Sequence, residues 1–303
     1  MSKIEFNGKV AIITGAGAGL GRCHAIEFAK RGAKVVVNDL GGARDGTGES
    51  HSAADDVVDE IKALGGEALA NYDNVATVEG GANIVKTAVD GFGKVDILVN
   101  NAGILRDKSF AKMDEASWDV VCQVHLKGAY CVTLPAFQNM KKNGYGRIVM
   151  TTSGAGIFGN FGQSNYSAAK SGVVGLANVL KIEGAKNNIK VNILAPIAAT
   201  RLTEDILPPP VFAKMKPEYV TPAVLYMCSE QCEDSGTIIN AGLGYFSKSA
   251  MLTNSGVILS TKDGKVPQPE ELMDRWAEIT DMKETKFYGD VNAMLGEFQS
   301  ILG

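Results

Sequence analysis

Short apolar runs alternate with amphipathic stretches along most of the chain. Lys9-Val-Ala-Ile-Ile13 is nearly continuous in apolar residues, the pattern of a parallel strand covered on both faces. A glycine-rich turn, Thr14 to Gly21, follows at once, and then a predicted helix from Arg22 to Arg31 that Gly32 stops. The cadence repeats with strand Ala33 to Asn38, helix Ala53 to Leu64, strand Ala68 to Tyr72, helix 77–91 and strand Val95 to Val99. Next come a long helix over 114–142, strand 147–152, a helix carrying Tyr166 and Lys170, and strand Lys190 to Ala195. Helix 221–229 and a strand near Gly236 to Asn240 close the series. Strands alternating with helices in this way predict an α/β fold, a Rossmann-type doubly wound parallel sheet.

That domain is expected over residues 1–245, with 246–303 as a C-terminal helical extension packed on it. In the extension, two short extended pieces surround Thr253 to Gly256. A helix starts at Pro269 with Glu270 and Glu271 in its first turn. A last amphipathic helix, Gly289 to Leu302, sets Val291, Leu295, Phe298 and Leu302 on one side and is expected to bury that side. Between Ile197 and Pro217 regular signals fail and Pro208, Pro209 and Pro210 stand together, which predicts a lid or substrate loop.

Composition narrows the function classes. A chain of 303 residues that is 45% hydrophobic has ample core for one large domain with an appendage. A net charge of −4 gives no case for nucleic acid or an anionic membrane as partner. The five cysteines have no C-x-x-C spacing, so reduced core thiols and no metal site are expected. The first residues lack a signal-peptide core, no apolar run reaches membrane-span length, and the last three residues are Ile-Leu-Gly rather than Ser-Lys-Leu. The expected location is cytoplasmic.

The polar residues at the strand ends carry the chemistry. Gly15, Gly19, Leu20 and Gly21 lie between a strand and a helix, where small residues let backbone approach a pyrophosphate and the helix start supplies amide donors. Leu20 takes the place of a last glycine, so the spacing is Thr-Gly-x-x-x-Gly-x-Gly. Asp39 ends the second strand, roughly 20 residues past the turn, where a carboxylate accepts from the adenosine ribose and repels a 2′-phosphate. NAD is therefore expected over NADP, with Arg44 nearby as the one feature that favours the other choice. Asp73, Asn74 and Val75 end the third strand and could meet an adenine edge; Asp73 could equally be a turn or helix-capping aspartate. Asn101, in Asn100-Asn-Ala-Gly103, and Thr200, after the sixth strand, are further cofactor candidates.

Tyr166 and Lys170 are four apart, one helical turn on one face. An ammonium beside a phenol favours the phenolate, which predicts a lowered Tyr166 pKa and a usable acid or base. Ser153, after the fifth strand, is placed to hydrogen-bond a substrate oxygen. Alone, such a Tyr-x-x-x-Lys pair would also suit an ordinary exposed helix face.

Thr14 to Gly21, Asn100 to Gly103, Ser153, Tyr166 and Lys170 together resemble the short-chain dehydrogenase/reductase family, in order and separation, over roughly residues 5–245. The resemblance implies that Tyr166 exchanges a proton with the alcohol or carbonyl oxygen, that Lys170 holds the nicotinamide ribose and that Ser153 positions the substrate. One departure is His125, in His125-Leu-Lys-Gly128, where the family usually has an asparagine supporting a relay water. A histidine can bond a water too, or be a packed core residue.

Asn38 to Gly42, Asn71 to Asp73, Asn100 to Asp107, Gly159 to Tyr166 and Lys216 to Val220 are similar to the 3-hydroxyacyl-CoA dehydrogenase domains of the peroxisomal multifunctional type 2 branch. That narrower likeness implies oxidation of (3R)-hydroxyacyl-CoA to 3-ketoacyl-CoA with NAD in fatty-acid β-oxidation. It also implies an acyl-CoA thioester partner, coupling to an enoyl-CoA hydratase, a homodimer or a tetramer, and a peroxisomal location if the chain is an excised domain. Arg106, Lys108 and Lys112 are candidates for the CoA phosphates. The last helix could then serve a dimer interface or a CoA groove. The alternatives are another secondary alcohol, such as a hydroxysteroid, and a non-catalytic nucleotide-binding scaffold.

Overall fold

The computed structural model describes residues 3–43, 45–48, 50–198, 210, 214–259 and 266–302. They divide at Lys248/Ser249 into two units. In the first, β1 (Val10–Thr14) is buried at every position and lies inside the sheet, between β2 (Lys34–Asn38) and β4 (Ile97–Asn100). The full order is β3-β2-β1-β4-β5-β6-β7-β8, adding β3 (Glu67–Asn71), β5 (Gly146–Thr151), β6 (Ile189–Pro196), β7 (Ile238–Gly242) and β8 (Tyr245–Ser249). Every pairing from β3 to β7 is parallel, as continuous apolar strands between two helical layers require.

β8 differs. It follows β7 after two residues, Leu243 and Gly244, with φ of 56° and 77°. Two left-handed residues in a two-residue connection make a type I′ hairpin, so β8 turns back antiparallel along β7.

Helices α1 (Gly19–Lys30), α2 (Ser52–Ala63) and α8 (Thr221–Cys228) cover one face, and Phe28, Ile61 and Val224 are fully buried there. Helices α3 (Val78–Phe92), α5 (Gly128–Asn143) and α7 (Ser164–Gly184) cover the other, with Ile84, Met140 and Val173 in the core. The chain reverses direction between β3 and β4, so a crevice opens at the carboxyl ends of β1 and β4, the ligand position of open α/β sheets.

Two expectations change. α1 begins at Gly19, three residues earlier than its apolar pattern indicates, so Gly19, Leu20 and Gly21 form its first turn. The continuous helix over 114–142 is instead α4 (Glu115–Cys122), a π-helical turn (Gln123–Lys127) and α5. The wide turn lets the imidazole of His125 reach inward to the backbone of Ile104, and apolar periodicity carries no mark of it. A short α6 (Gly154–Phe158) separates β5 from α7.

The second unit contains the strand pair β9 (Thr253–Asn254) and β10 (Thr285–Lys286) and helices α9 (Pro269–Asp274), α10 (Trp276–Ile279) and α11 (Val291–Leu302). Val291, Leu295 and Phe298 are about half exposed, at 59, 49 and 51%. Within this unit alone, so few short elements do not enclose a core of their own.

All five cysteines are free, and four are buried. Burial pushes Cys23 up to about 11 and raises Cys122, Cys131, Cys228 and Cys232. Among the described residues no helix is long and apolar enough to cross a membrane.

Candidate active site

The glycine-rich turn is built by close backbone approach. At Gly21 an added Cβ would stand 2.2 Å from the Gly15 carbonyl oxygen and 2.6 Å from Asn101 Nδ2. Gly15 has φ of +62°, and a Cβ there would stand 2.7 Å from Ala102 Cα. Asn101 fixes this packing by donating Nδ2 to the carbonyls of Thr14 (2.9 Å) and Gly15 (3.0 Å). Thr14 Oγ1 accepts from the amides of Asn101 and Ala102 at 3.0 and 3.1 Å. Asn101, a predicted cofactor residue, thus spends its side chain on shaping the turn.

Asp39 directly follows β2 and is 7% exposed. Its carboxylate accepts from the Gly17 amide (2.8 Å) and the Gly41 amide (2.7 Å), one per oxygen. Each oxygen keeps a second lone pair. A Cβ on Gly17 would stand 2.9 Å from Asp39 Oδ2, so this amide–carboxylate contact needs glycine. Asp73 is committed further: its oxygens accept from Asn71 Nδ2 (2.7 Å) and Asn83 Nδ2 (3.0 Å). The turn-aspartate reading describes those bonds, yet Asp73 also lines the cleft. Gly15, Asp39, Asp73, Asn74, Val75 and Ala102 surround one cavity of about 160 Å³.

Beyond Ala102 lie His125 and Lys170, two of the residues expected to handle the proton. Ser153 caps α6, its Oγ accepting from the Ala155 amide at 3.2 Å. The Tyr166 ring meets His125 edge to face at 5.0 Å, and Lys170 Nζ is 5.7 Å from the same ring. Lys170, 4% exposed, donates Nζ to the Thr151 carbonyl at 2.6 Å. Burial without a carboxylate partner brings the amine down to about 7.

The expected lowering of Tyr166 is not found. Burial raises the phenol above its usual 10, with the Ser153 hydroxyl opposing and Asp107 adding to the rise. The reason is that Lys170 points its amine at Thr151 and is itself drawn toward neutrality, so it offers little field.

His125 is buried and has one backbone partner, as a packed histidine would. Its Nε2 lies 2.8 Å from the Ile104 carbonyl oxygen and 3.1 Å from the Ile104 amide. Burial first, and Lys170 second, hold the imidazole well below 6.5, so it is neutral and makes one of these bonds at a time. Donation to the nearer carbonyl leaves Nδ1 as an acceptor. Nδ1 and Thr151 Oγ1 are buried with no side-chain or backbone partner. His125, Thr151, Asn100 and Lys170 all border an internal space of about 10 Å³, the size of one water molecule.

Thr200 and most of the expected lid lie outside the described residues. Lys108 is paired with Asp114, and Arg106 Nε donates to the Asp45 carbonyl at 2.8 Å, so two of the three candidate phosphate cations have protein partners. Sequence reasoning missed Asn165, which is fully buried beside Tyr166, and Thr151. Asn165 lies inside the Gly159 to Tyr166 stretch, but nothing in that stretch singles it out, and Thr151 stands in no motif.

Comparison with known proteins follows this geometry. The sequence profile described as short chain dehydrogenase matches residues 9–208. Peroxisomal multifunctional enzyme type 2 of Drosophila melanogaster is 50% identical over 300 residues, which is 99% of this chain and 50% of that protein. The chain thus spans about half that relative's length. Its solved full-length structure superposes with a TM-score of 0.83 at 44% identity, covering 99% of this chain and 50% of that one. A putative short-chain type dehydrogenase/reductase of Mycobacterium tuberculosis is 53% identical over 281 residues, 93% of this chain and 97% of that protein. A 7α-hydroxysteroid dehydrogenase solved with NADH and 7-oxo glycochenodeoxycholic acid superposes with a TM-score of 0.71 at 32% identity, covering 79% and 95%.

Proposed function

The chain belongs to the short-chain dehydrogenase family, and on that premise we propose that it oxidises 3-hydroxyacyl-CoA, the R enantiomer, to 3-ketoacyl-CoA with NAD. The observation that carries the reaction type is the approach of Ser153 and Lys170 to one side chain, Tyr166. Likeness to the multifunctional enzymes supports the substrate class.

The cleft fits a dinucleotide. Gly15, Gly19, Leu20 and Gly21 would hold its pyrophosphate at the start of α1, in a turn whose shape is kept by the close packing of Gly15 on Ala102 and of Gly21 on the Gly15 carbonyl. Asp39 would accept from the adenosine ribose with its free lone pairs, and its charge opposes a 2′-phosphate. Asp73, Asn74 and Val75 would face the adenine, and Thr200 is proposed alongside. When bound, the nicotinamide supplies the acceptor for the substrate's hydride.

Ser153 Oγ orients the substrate hydroxyl toward Tyr166. Tyr166 takes the hydroxyl proton while the C–H bond is broken, and gives up its own phenolic proton toward Lys170, whose amine, brought down to about 7 by burial, can accept one. The proton then passes from Lys170 through a water held by His125 Nδ1 and Thr151 Oγ1. His125 in this way replaces the family's asparagine.

A homodimer through α4, α5 and α7 suits the exposed Trp118, Tyr130, Leu134, Val179 and Ile182. Coupling to an enoyl-CoA hydratase goes with the same reading, as does a peroxisomal setting where the chain is part of a longer enzyme. The test is NADH appearance with NAD and, separately, the R and S forms of a 3-hydroxyacyl-CoA. Turnover of R alone is expected, and turnover of neither would overturn the substrate. A hydroxysteroid is the second reading, favoured by the likeness to the steroid dehydrogenase, and a steroid panel tests it.

A further inference from the structure

Asn165 is fully buried and makes three hydrogen bonds. Its Oδ1 accepts from the Tyr166 amide at 2.8 Å, and its Nδ2 donates to the carbonyls of Arg106 and Ser117, each at 3.0 Å. The amide that precedes the catalytic tyrosine is thus fastened to the segment after β4 and to the first turn of α4. That segment is fastened in turn to the loop after β2. Arg106 Nε donates to the Asp45 carbonyl at 2.8 Å, and Ile104 Cδ1 would lie 3.0 Å from a Cβ on Gly46.

The loop is a strap closed at its base. Ser50 N donates to the Leu40 carbonyl at 3.0 Å, and Ala43 N donates to the Thr47 carbonyl at 2.7 Å. Leu40, Gly42, Ala43 and Gly46 form one wall of the dinucleotide cleft, while Ala102, Gly103 and Ile104 stand opposite. The cleft is therefore bridged from wall to wall by Arg106 and Ile104, and Arg106 is bonded through its own carbonyl to Asn165.

We propose that Arg106 and Asn165 are positioning residues that link closure of the 40–50 strap over the cofactor to placement of the Tyr166 hydroxyl. The inference rests on the dehydrogenase reading above. It assigns Arg106 a backbone-bonding role in place of the CoA-phosphate contact expected from its charge.

The experiment uses the full chain and NADH, whose fluorescence reports binding without substrate. Wild-type protein that failed to bind NADH would sink the dehydrogenase reading itself, so the two failures are distinguishable. With binding established, Arg106→Ala removes one donor and is expected to raise the NADH dissociation constant roughly three- to tenfold, the worth of one hydrogen bond. Arg106→Gln sets an amide nitrogen the same number of bonds from Cα as Arg106 Nε, with no charge. It is expected to restore wild-type affinity, whereas an Arg106 that serves only a CoA phosphate would leave NADH affinity unchanged in Arg106→Ala and Arg106→Gln alike, which would overturn the proposal.

Asn165→Ala does not touch the strap, yet it is expected to weaken NADH binding by a similar factor, lower kcat, and speed amide exchange in residues 41–48. A lower kcat with unchanged NADH affinity and unchanged strap exchange would overturn the link. So would an Arg106→Gln variant that behaves like Arg106→Ala. Should Asn165→Ala fail to fold, the Arg106 pair decides alone, because that side chain is at the surface.

Discussion

Lys170→Met tests the electrostatics of the site through stability. The lysine is buried, its Nζ donates to the Thr151 carbonyl, and burial brings it from 10.5 to about 7. In the unfolded chain the amine keeps its proton up to about 10.4. Between those values the unfolded state binds one more proton than the folded state, so raising the pH stabilises the fold. The slope is about 1.4 kcal/mol per pH unit. From pH 7, where the folded amine is half protonated, to pH 9, the gain integrates to about 2 kcal/mol. Methionine fills the same volume without titrating. The gap in unfolding free energy, wild type minus variant, should therefore widen by about 2 kcal/mol in favour of wild type between pH 7 and pH 9. Urea unfolding of both proteins without cofactor, at one protein concentration, measures it, and every other titrating group cancels in the difference. A gap independent of pH would refute the claim that the amine is held near neutrality by burial.

Tyr166→Phe should retain NADH binding and lose at least about 1,000-fold in kcat, measured by NADH formation, since the proton acceptor is gone. Gly21→Ala should cost about 1–3 kcal/mol in thermal or urea unfolding, because the new methyl meets the Gly15 carbonyl and not a side chain that can move. His24 is buried, with Nδ1 2.9 Å from Thr221 Oγ1, and its pKa falls from 6.5 to about 3. The unfolded chain takes up that proton below pH 6.5, so stability should fall by about 1.4 kcal/mol per pH unit as pH drops from 6 to 4. His24→Gln should flatten that acid limb in a pH series of unfolding midpoints.

The sheet was legible because each strand is a local apolar run and each helix a local period, and neither needs a partner to be recognised. The Ser153, Tyr166 and Lys170 set was legible for the same reason, since each lies at a strand end or one turn along a helix. The π-turn was not, because it depends on what His125 reaches across 21 residues rather than on any pattern in Gln123–Lys127. The direction of the Tyr166 shift was missed because spacing places Lys170 on the right face but says nothing of the carbonyl it turns toward. Asn165 escaped notice because its partners, Arg106 and Ser117, lie 59 and 48 residues away.

The cysteines bear on how this protein can be handled. A thiol reacts as its thiolate, and all five are pushed above their ordinary range by burial, so few thiolates exist at neutral pH. Maleimides should therefore label the native thiols slowly. A single cysteine introduced on the strap should react faster than these, and a fluorophore attached there would follow the loop without first stripping the protein of its own sulfur.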